Sequence, residues 1–341
     1  MTFVSRCKTA TKKVAATVTA FACATGLMVA GGGIAQAANR DWLRADSTGA
    51  CEWDGVGFWV QRCDVYSSAM NRNITVQIQP AQRGGNAALY LLDGARATEH
   101  ANAWTVDTNA PAKFVDNNLT LVMPVGGAGS FYADWIAPAT YSSDSVNYKW
   151  ETFLTAELPA YLESNFGVAR NNNSIAGLSM GGTAALNLAA RHTDQFRQAL
   201  SYSGYLTMTH PGMQTLLRIA LWEIGGFNVN SMYGSIFNPV RYQNDPFLNM
   251  AALRNTDVYI SAGNGLPAGP DIASYRPQDI ITGSILEWIS RYTTVLWEVK
   301  ARATGVHPTV NYPITGIHNW LQFNYQLDMS RGRILDVMNA W

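Results

Sequence analysis

The period of hydrophobic and polar positions changes repeatedly along this chain, and the changes mark its elements. Residues 73–79 (NITVQIQ) alternate like a half-exposed strand. Residues 88–92 (ALYLL) and 119–125 (LTLVMPV) are instead unbroken apolar runs, as expected for strands covered on both faces. Over 148–166 the period lengthens, and Trp150, Phe153, Leu154, Leu158, Tyr161 and Leu162 fall on one side of a helix. The same reading predicts strands over 174–177, 198–201, 257–262 and 309–313, and helices over 180–192, 280–303 and 320–339. Strands alternating with helices build an α/β fold around a mostly parallel central sheet with helices on both faces. Residues 204–255 break the rhythm with Gly, Pro, Asn and aromatic side chains and read as a helical insertion.

The first residues follow a different pattern. Arg6, Lys8, Lys12 and Lys13 precede an uncharged stretch over 14–30, and Ala35-Gln36-Ala37 has the form of an A-x-A cleavage site. That is the layout of a secretory signal peptide over 1–37. A membrane anchor is the poorer reading, because the stretch is built of Ala, Thr and Gly rather than Leu and Ile. The expected organisation is a leader over 1–37, an extension over 38–72, and one α/β domain over 73–341 with its insertion at about 204–255. The product is expected to be exported.

The leader changes how composition is read. The full chain of 341 residues balances 24 Lys+Arg against 24 Asp+Glu. Cleavage after Ala37 takes four basic residues and no acidic one, leaving 304 residues that are mildly acidic and hold only Lys113, Lys149 and Lys300 as lysines. No nucleic-acid partner is expected from such a balance, since phosphate binding needs an excess of Lys and Arg. With 48% hydrophobic and 14% charged residues, the chain is no disordered one either. Two cysteines remain after cleavage, Cys51 and Cys63, close together in an exported chain. A disulfide is expected, worth roughly 2–4 kcal/mol. No His stands near them to complete a metal site.

The chemistry begins at Gly177-Leu178-Ser179-Met180-Gly181, a G-x-S-x-G pentapeptide. An apolar strand enters it and an Ala/Leu-rich helix leaves it, which is the setting of a nucleophile elbow in an α/β-hydrolase fold. Ser179 is the expected nucleophile, and the Met180 N–H at the helix start an expected oxyanion donor. The base should follow in the chain. His192 ends the elbow helix, His210 lies in the insertion, and His307 precedes the last strand at the wrong end of the sheet; His100 precedes Ser179 altogether. His318 follows the last strand at the edge where the elbow sits, and is the expected base. For the acid, Asp271 in the loop after the strand over 257–262 ranks first by spacing. Glu287, inside a helical run, ranks behind it.

At this point the motifs resemble those of the mycolyltransferases of the antigen 85 type. The carriers are Leu91-Leu92-Asp93-Gly94-Ala95-Arg96-Ala97, Met123-Pro124-Val125-Gly126-Gly127, Ser130-Phe131-Tyr132-Ala133-Asp134-Trp135 and Tyr148-Lys149-Trp150-Glu151-Thr152-Phe153-Leu154. The elbow, Asn230-Ser231-Met232-Tyr233-Gly234, Gly263-Asn264-Gly265 and Gly316-Ile317-His318-Asn319-Trp320 complete the set. The resemblance runs from about residue 73 to the last helix, and it reverses one choice. That family's acid is a glutamate in a Leu-Glu pair about thirty residues before the histidine, which implies Glu287 here rather than Asp271. It also implies Ala95 N–H as second oxyanion donor, where many relatives have Leu. Asp93 and Arg96, with Ser201 and Trp320, are implied as trehalose contacts. A salt bridge bracing the turn is the structural alternative for the first two, and a core anchor for Trp320. Two features depart from the pattern: Ala262 stands where relatives often carry a cysteine, and the segment around Cys51 and Cys63 matches poorly.

The implied activity is a cofactor-free, secreted serine acyltransferase acting on trehalose monomycolate. The acceptor would be a second trehalose monomycolate or cell-wall arabinan, with the enzyme peripheral to the mycolate envelope rather than transmembrane. The apolar side chains of the insertion could line a lipid channel or simply cap the core. The rivals are a secreted carboxylesterase with the same triad, and a glycan-binding module whose triad is idle.

Overall fold

The protein is described here from a computed structural model, over residues 40–143 and 145–341; the expected leader lies outside the described residues. Among these residues nine strands form one sheet in the order β1-β2-β3-β5-β4-β6-β7-β8-β9. They are β1 (Glu52–Trp53), β2 (Gln61–Ser67), β3 (Arg72–Gln79), β4 (Ala87–Leu92), β5 (Leu119–Pro124), β6 (Asn173–Leu178), β7 (Phe196–Tyr202), β8 (Asp257–Ser261) and β9 (Thr309–Asn311). The first three strands and β5 pair antiparallel, and from β5 across to β9 every pairing is parallel. The expected mostly parallel α/β sheet is therefore present, with an antiparallel flank added.

The unbroken apolar runs serve two cores at once. Successive strand side chains point to opposite faces. Ala88, Tyr90 and Leu92 of β4 accordingly join one cluster, and Ala87, Leu89 and Leu91 the other. The first cluster is closed by a helix that runs through α3 (Trp150–Thr152), a π-helical turn (Phe153–Glu157) and α4 (Leu158–Phe166), together with the elbow helix α5 (Met180–Arg191). The second is closed by α1 (Ala103–Val106), α2 (Ala110–Phe114) and the final helix α12 (Trp320–Met338). Fully burying a Leu or Ile side chain stabilises by about 1.5–3 kcal/mol, so each strand contributes on both faces. The π turn ends two residues before Pro159, which has no N–H to return to the preceding turn.

The extension is continuous with this sheet. β2 pairs with β3 over seven residues, and a disulfide joins Cys51 to Cys63 inside the first core. The alternation of β2 escapes a hydrophobicity reading because its buried positions are Gln61, Cys63, Val65 and Ser67, half of them polar. Glu157 fastens the hairpin: its carboxylate accepts from Ser67 Oγ and Ser68 Oγ, both at 2.6 Å, and from the Ala69 N–H at 3.0 Å.

The insertion is helical as expected: α6 (Met213–Gly225), α7 (Val229–Tyr233), α8 (Pro239–Gln243), α9 (Pro246–Asn249) and a 3-10 turn over Met250–Asn255. Two helices remain, both between β8 and β9: α10 (Gly269–Ser274) and the 27-residue α11 (Pro277–Ala303).

Candidate active site

Ser179 stands between β6 and α5 with φ 53° and ψ −121°. A non-glycine residue is held there at a cost of about 1–3 kcal/mol, so the surroundings must impose it. The two glycines of the pentapeptide show how. A Cβ on Gly177 would lie 2.3 Å from the Gly181 carbonyl group, and one on Gly181 would lie 2.5 Å from the Asp93 carbonyl oxygen. Strand end, helix start and the turn after β4 thus touch backbone to backbone. The Ser179 N–H donates to Tyr202 O at 2.9 Å, locking the elbow to β7.

The structure brings His318 and Glu287 together. His318 Nδ1 lies 2.8 Å from Glu287 Oε2. The other carboxylate oxygen accepts from Ser203 Oγ at 2.7 Å and from the Gly263 N–H at 2.5 Å. Glu287 is fully buried, and its carboxylate meets three protein donors. The His318 N–H donates to Gly283 O at 3.0 Å, so the histidine loop is fastened to the same helix that carries the glutamate. The ring sits between Phe323, edge-on at 5.1 Å, and Tyr205 at 5.8 Å. Its Nε2 is buried and meets no partner among the described residues, which leaves it open to a proton donor. Asp271, first by spacing, is occupied elsewhere. Its carboxylate accepts from the Ala268 N–H at 2.7 Å and from Asn319 Nδ2 at 2.7 Å, capping α10 and clasping the residue after the histidine.

The turn after β4 lies over the elbow. A Cβ on Gly94 would meet the Leu178 side chain at 2.9 Å and Ser179 Cβ at 3.9 Å. Neither the Ala95 nor the Met180 N–H donates to another described residue. Both belong to segments touching the serine, the arrangement an oxyanion needs. Asp93 braces this turn from beneath: its carboxylate accepts from the Gly94 N–H at 2.7 Å and the Ala103 N–H at 2.9 Å. Burial pushes its carboxyl up to about 6, although both hydrogen bonds work in the opposite direction.

The other expected sugar contacts are placed variously. Arg96 is exposed and pairs with Glu223 on α6 at 2.6 Å. Trp320 is half-buried and packs edge-on against Trp104 and Phe323, the core-anchor alternative. Ser201 is buried at 1% exposure; Cβ atoms on Gly182 and Gly204 would lie 2.7 and 2.4 Å from its Oγ. As folded, Ser201 lies under the elbow helix and offers nothing to a ligand in the cleft, because the close approach of two glycine backbones covers it. Of the remaining histidines, His192 bonds Glu151 at 2.8 Å, His210 packs on Phe247, and His100 and His307 are exposed.

Three participants were not legible beforehand. Ser203, at φ 52°, holds Glu287. Tyr132, on a loop where Phe131 and Tyr132 both have positive φ, accepts the Asp93 N–H at 3.0 Å. Tyr205 is clipped by Thr183 through its N–H at 2.9 Å and its carbonyl at 3.1 Å. Burial pushes the Tyr205 hydroxyl well above its usual range and the Glu287 charge adds to the rise, while a hydrogen bond with the Ser179 side chain opposes it. Ser203 left a signal as a serine just past the end of the strand over 198–201, and Tyr132 lies in the motif over 130–135 without its role being marked there.

Comparison with known proteins is consistent with this geometry. The Esterase family profile matches residues 67–334. The diacylglycerol acyltransferase/mycolyltransferase Ag85B of Mycolicibacterium smegmatis is 39% identical over 278 residues, covering 80% of this chain and 83% of that protein. The Ag85A protein of Mycobacterium ulcerans is 36% identical over 318 residues, 92% of each. Among solved structures, MPT51 (FbpC1) of Mycobacterium tuberculosis superposes with a TM-score of 0.71 at 27% identity, covering 82% of this chain and 98% of that one. An S-formylglutathione hydrolase from Agrobacterium tumefaciens, at TM-score 0.60 and 16% identity, shares the fold.

Proposed function

The chain belongs to the Esterase family and, within it, to the antigen 85 mycolyltransferases; on that premise we propose that it is an exported acyltransferase that moves a mycoloyl group from trehalose monomycolate onto a second hydroxyl acceptor. The observation that carries the reading is the buried contact of Glu287 with His318 Nδ1, which leaves Nε2 unpartnered among the described residues, on a ring flanked by Tyr205, itself clipped to the elbow helix by Thr183.

The geometry supports a two-step transfer. Ser179 Oγ attacks the ester carbonyl and gives its proton to His318 Nε2. The oxygen of the tetrahedral intermediate takes the Met180 and Ala95 N–H groups, each such donor being worth roughly 10²–10³ in rate. Glu287, hydrogen-bonded to Nδ1–H, keeps the imidazole in the tautomer that can accept at Nε2 and stabilises the imidazolium. Collapse breaks the bond to trehalose, whose oxygen leaves with the proton from His318. An acceptor hydroxyl then returns a proton to His318, attacks the acyl-serine, and Ser179 leaves reprotonated. A second trehalose monomycolate as acceptor yields the dimycolate, and an arabinan hydroxyl yields a wall ester. By family likeness Arg96, Asp93 and Trp320 are assigned to the sugar, with Asp93 acting by shaping the turn. The enzyme acts at the mycolate envelope without spanning it; among the described residues no helix is long and apolar enough to cross a membrane.

The test is incubation with a trehalose monoester, following diester against free acid. Diester formation lost in Ser179→Ala is expected. Free acid alone would make the protein a carboxylesterase. Failure of a fluorophosphonate probe to label Ser179 would leave the triad idle.

A further inference from the structure

The long helix α11 is built inside out. Its buried positions are Gly283, Glu287, Ser290, Thr293, Thr294, Trp297 and Ala301, mostly small or polar. Between residues 281 and 299 its exposed positions are Ile281, Thr282, Ile285, Trp288, Tyr292, Val295 and Val299, and none carries a charge. An ordinary surface helix has the opposite pattern. The spacing of Ile281, Ile285, Trp288, Tyr292, Val295 and Val299 is four, three, four, three and four residues, one continuous stripe about 27 Å long. Isolated exposed apolar residues need no explanation, but a contiguous row does.

The charges within this span are turned away from the stripe. Arg291 lies over the Tyr312 ring at 3.8 Å and donates to Ala262 O, and Glu298 accepts from Arg302 at 2.8 Å and from Tyr312 at 2.9 Å. Glu287 is spent on His318. At the middle of the stripe Trp288 and Tyr292 stack with planes 11° apart, each exposed by half or more. Such amphipathic rings favour the boundary between water and an apolar phase.

The stripe also adjoins the site. A Cβ on Gly265 would lie 3.4 Å from Trp288 Cβ, and the Gly265 N–H donates at 2.9 Å to Gly316 O in the histidine loop, which the inward face of α11 also holds through Gly283. A further group of exposed apolar side chains, Ile219 and Trp222 on α6, stands where Glu223 pairs with Arg96 beside the oxyanion turn.

We propose that the Ile281–Val299 face of α11 is a docking surface for an electrically neutral glycolipid layer, seated so that the acyl ester is lifted directly into the cleft. The proposal rests on the acyltransferase reading. Charge complementarity selects the partner: the face has no cation to seek an anionic headgroup and no anion to seek a basic one. A second copy of the chain is the weaker occupant, because covering a surface that begins at the His318 loop would close the cleft to donor and acceptor alike, whereas a lipid layer delivers the donor there.

The test uses the whole chain with phosphatidylcholine vesicles containing a trehalose monoester, and the variant Ile285→Gln/Trp288→Gln. Flotation should show wild-type binding that hardly changes between low and high salt, and binding roughly 10- to 100-fold weaker in the variant. Quenching of Trp emission by brominated acyl chains should fall in Trp288→Phe. Hydrolysis of a short soluble ester and fluorophosphonate labelling should stay within a factor of two in both variants, which reports intact folding. Wild type that ignores neutral vesicles, variants that bind as well as wild type, or binding only to anionic vesicles would overturn the proposal. So would sedimentation showing a dimer that the variant abolishes. Failure of the acyltransferase reading looks different: no diester from detergent-dispersed donor, whatever the vesicle binding.

Discussion

Replacing Glu287 by Gln tests the assembly of the site most directly. The carboxylate has three donors around it: His318 Nδ1 at 2.8 Å, Ser203 Oγ at 2.7 Å and the Gly263 N–H at 2.5 Å. A glutamine offers one acceptor oxygen and one NH2 in the same space. If the NH2 faces His318, Nδ1 must accept, the ring proton moves to Nε2, and Nε2 can no longer take the proton from Ser179. If it faces Ser203 and Gly263 instead, the Gly263 N–H is left without an acceptor in a dry interior, at about 1–3 kcal/mol. The tautomer error is the more damaging for rate. Losing the orienting carboxylate of a triad costs on the order of 10⁴ in turnover, about 5.5 kcal/mol of barrier. The assay is diester formation from a trehalose monoester, alongside the rate of Ser179 labelling by a fluorophosphonate and the midpoint of urea unfolding. Glu287→Gln should lower both rates by about that factor while remaining folded. Asp271→Asn should lower stability by about 1–3 kcal/mol and turnover by less than about tenfold. A Glu287→Gln enzyme within tenfold of wild type, with Asp271→Asn inactive, would refute the assignment and restore the choice made by spacing.

Other outcomes follow from the same geometry. Gly181→Ala places a Cβ 2.5 Å from the Asp93 carbonyl oxygen, and should cost about 3 kcal/mol or prevent folding, read by expression and urea titration. Removing the disulfide as Cys51→Ser/Cys63→Ser should lower unfolding free energy by roughly 2–4 kcal/mol, with turnover retained at 25 °C because the bridge lies on the antiparallel flank. Asp93 has a folded-state carboxyl raised to about 6. Between the unfolded value and that one the native protein therefore binds the extra proton, so this group's contribution falls as pH rises from about 4 to 6. The loss is on the order of 2–3 kcal/mol, and the difference in unfolding free energy between wild type and Asp93→Asn should narrow or change sign over that range. A difference independent of pH would contradict the burial argument.

Much of this protein is decided by short-range pattern. Residues 174–191 announce an elbow because two glycines, a serine and an Ala/Leu helix must be neighbours in sequence to make that turn at all. The apolar runs of β4 and β5 announce burial on both faces, and each run divides its side chains between two cores as that implies. Cys51 and Cys63 are close enough in sequence that pairing needs no long-range information.

What the tertiary structure alone decides involves residues far apart in the chain. Spacing alone ranks Asp271 above Glu287 and family likeness reverses that order, but the contact itself is made in three dimensions, where the fastening of the His318 loop to Gly283 sets Glu287 against the imidazole. Ser203 and Tyr132 become supports only when β7 and the loop after β5 converge on α11 and the oxyanion turn. β2 hides because hydrogen bonding, not hydrophobicity, satisfies its buried Gln61 and Ser67. The inward and outward faces of α11 likewise appear only in three dimensions. A helix with polar and apolar stripes has the same period whichever stripe is buried, and here the inward face is the one that carries Glu287 to His318.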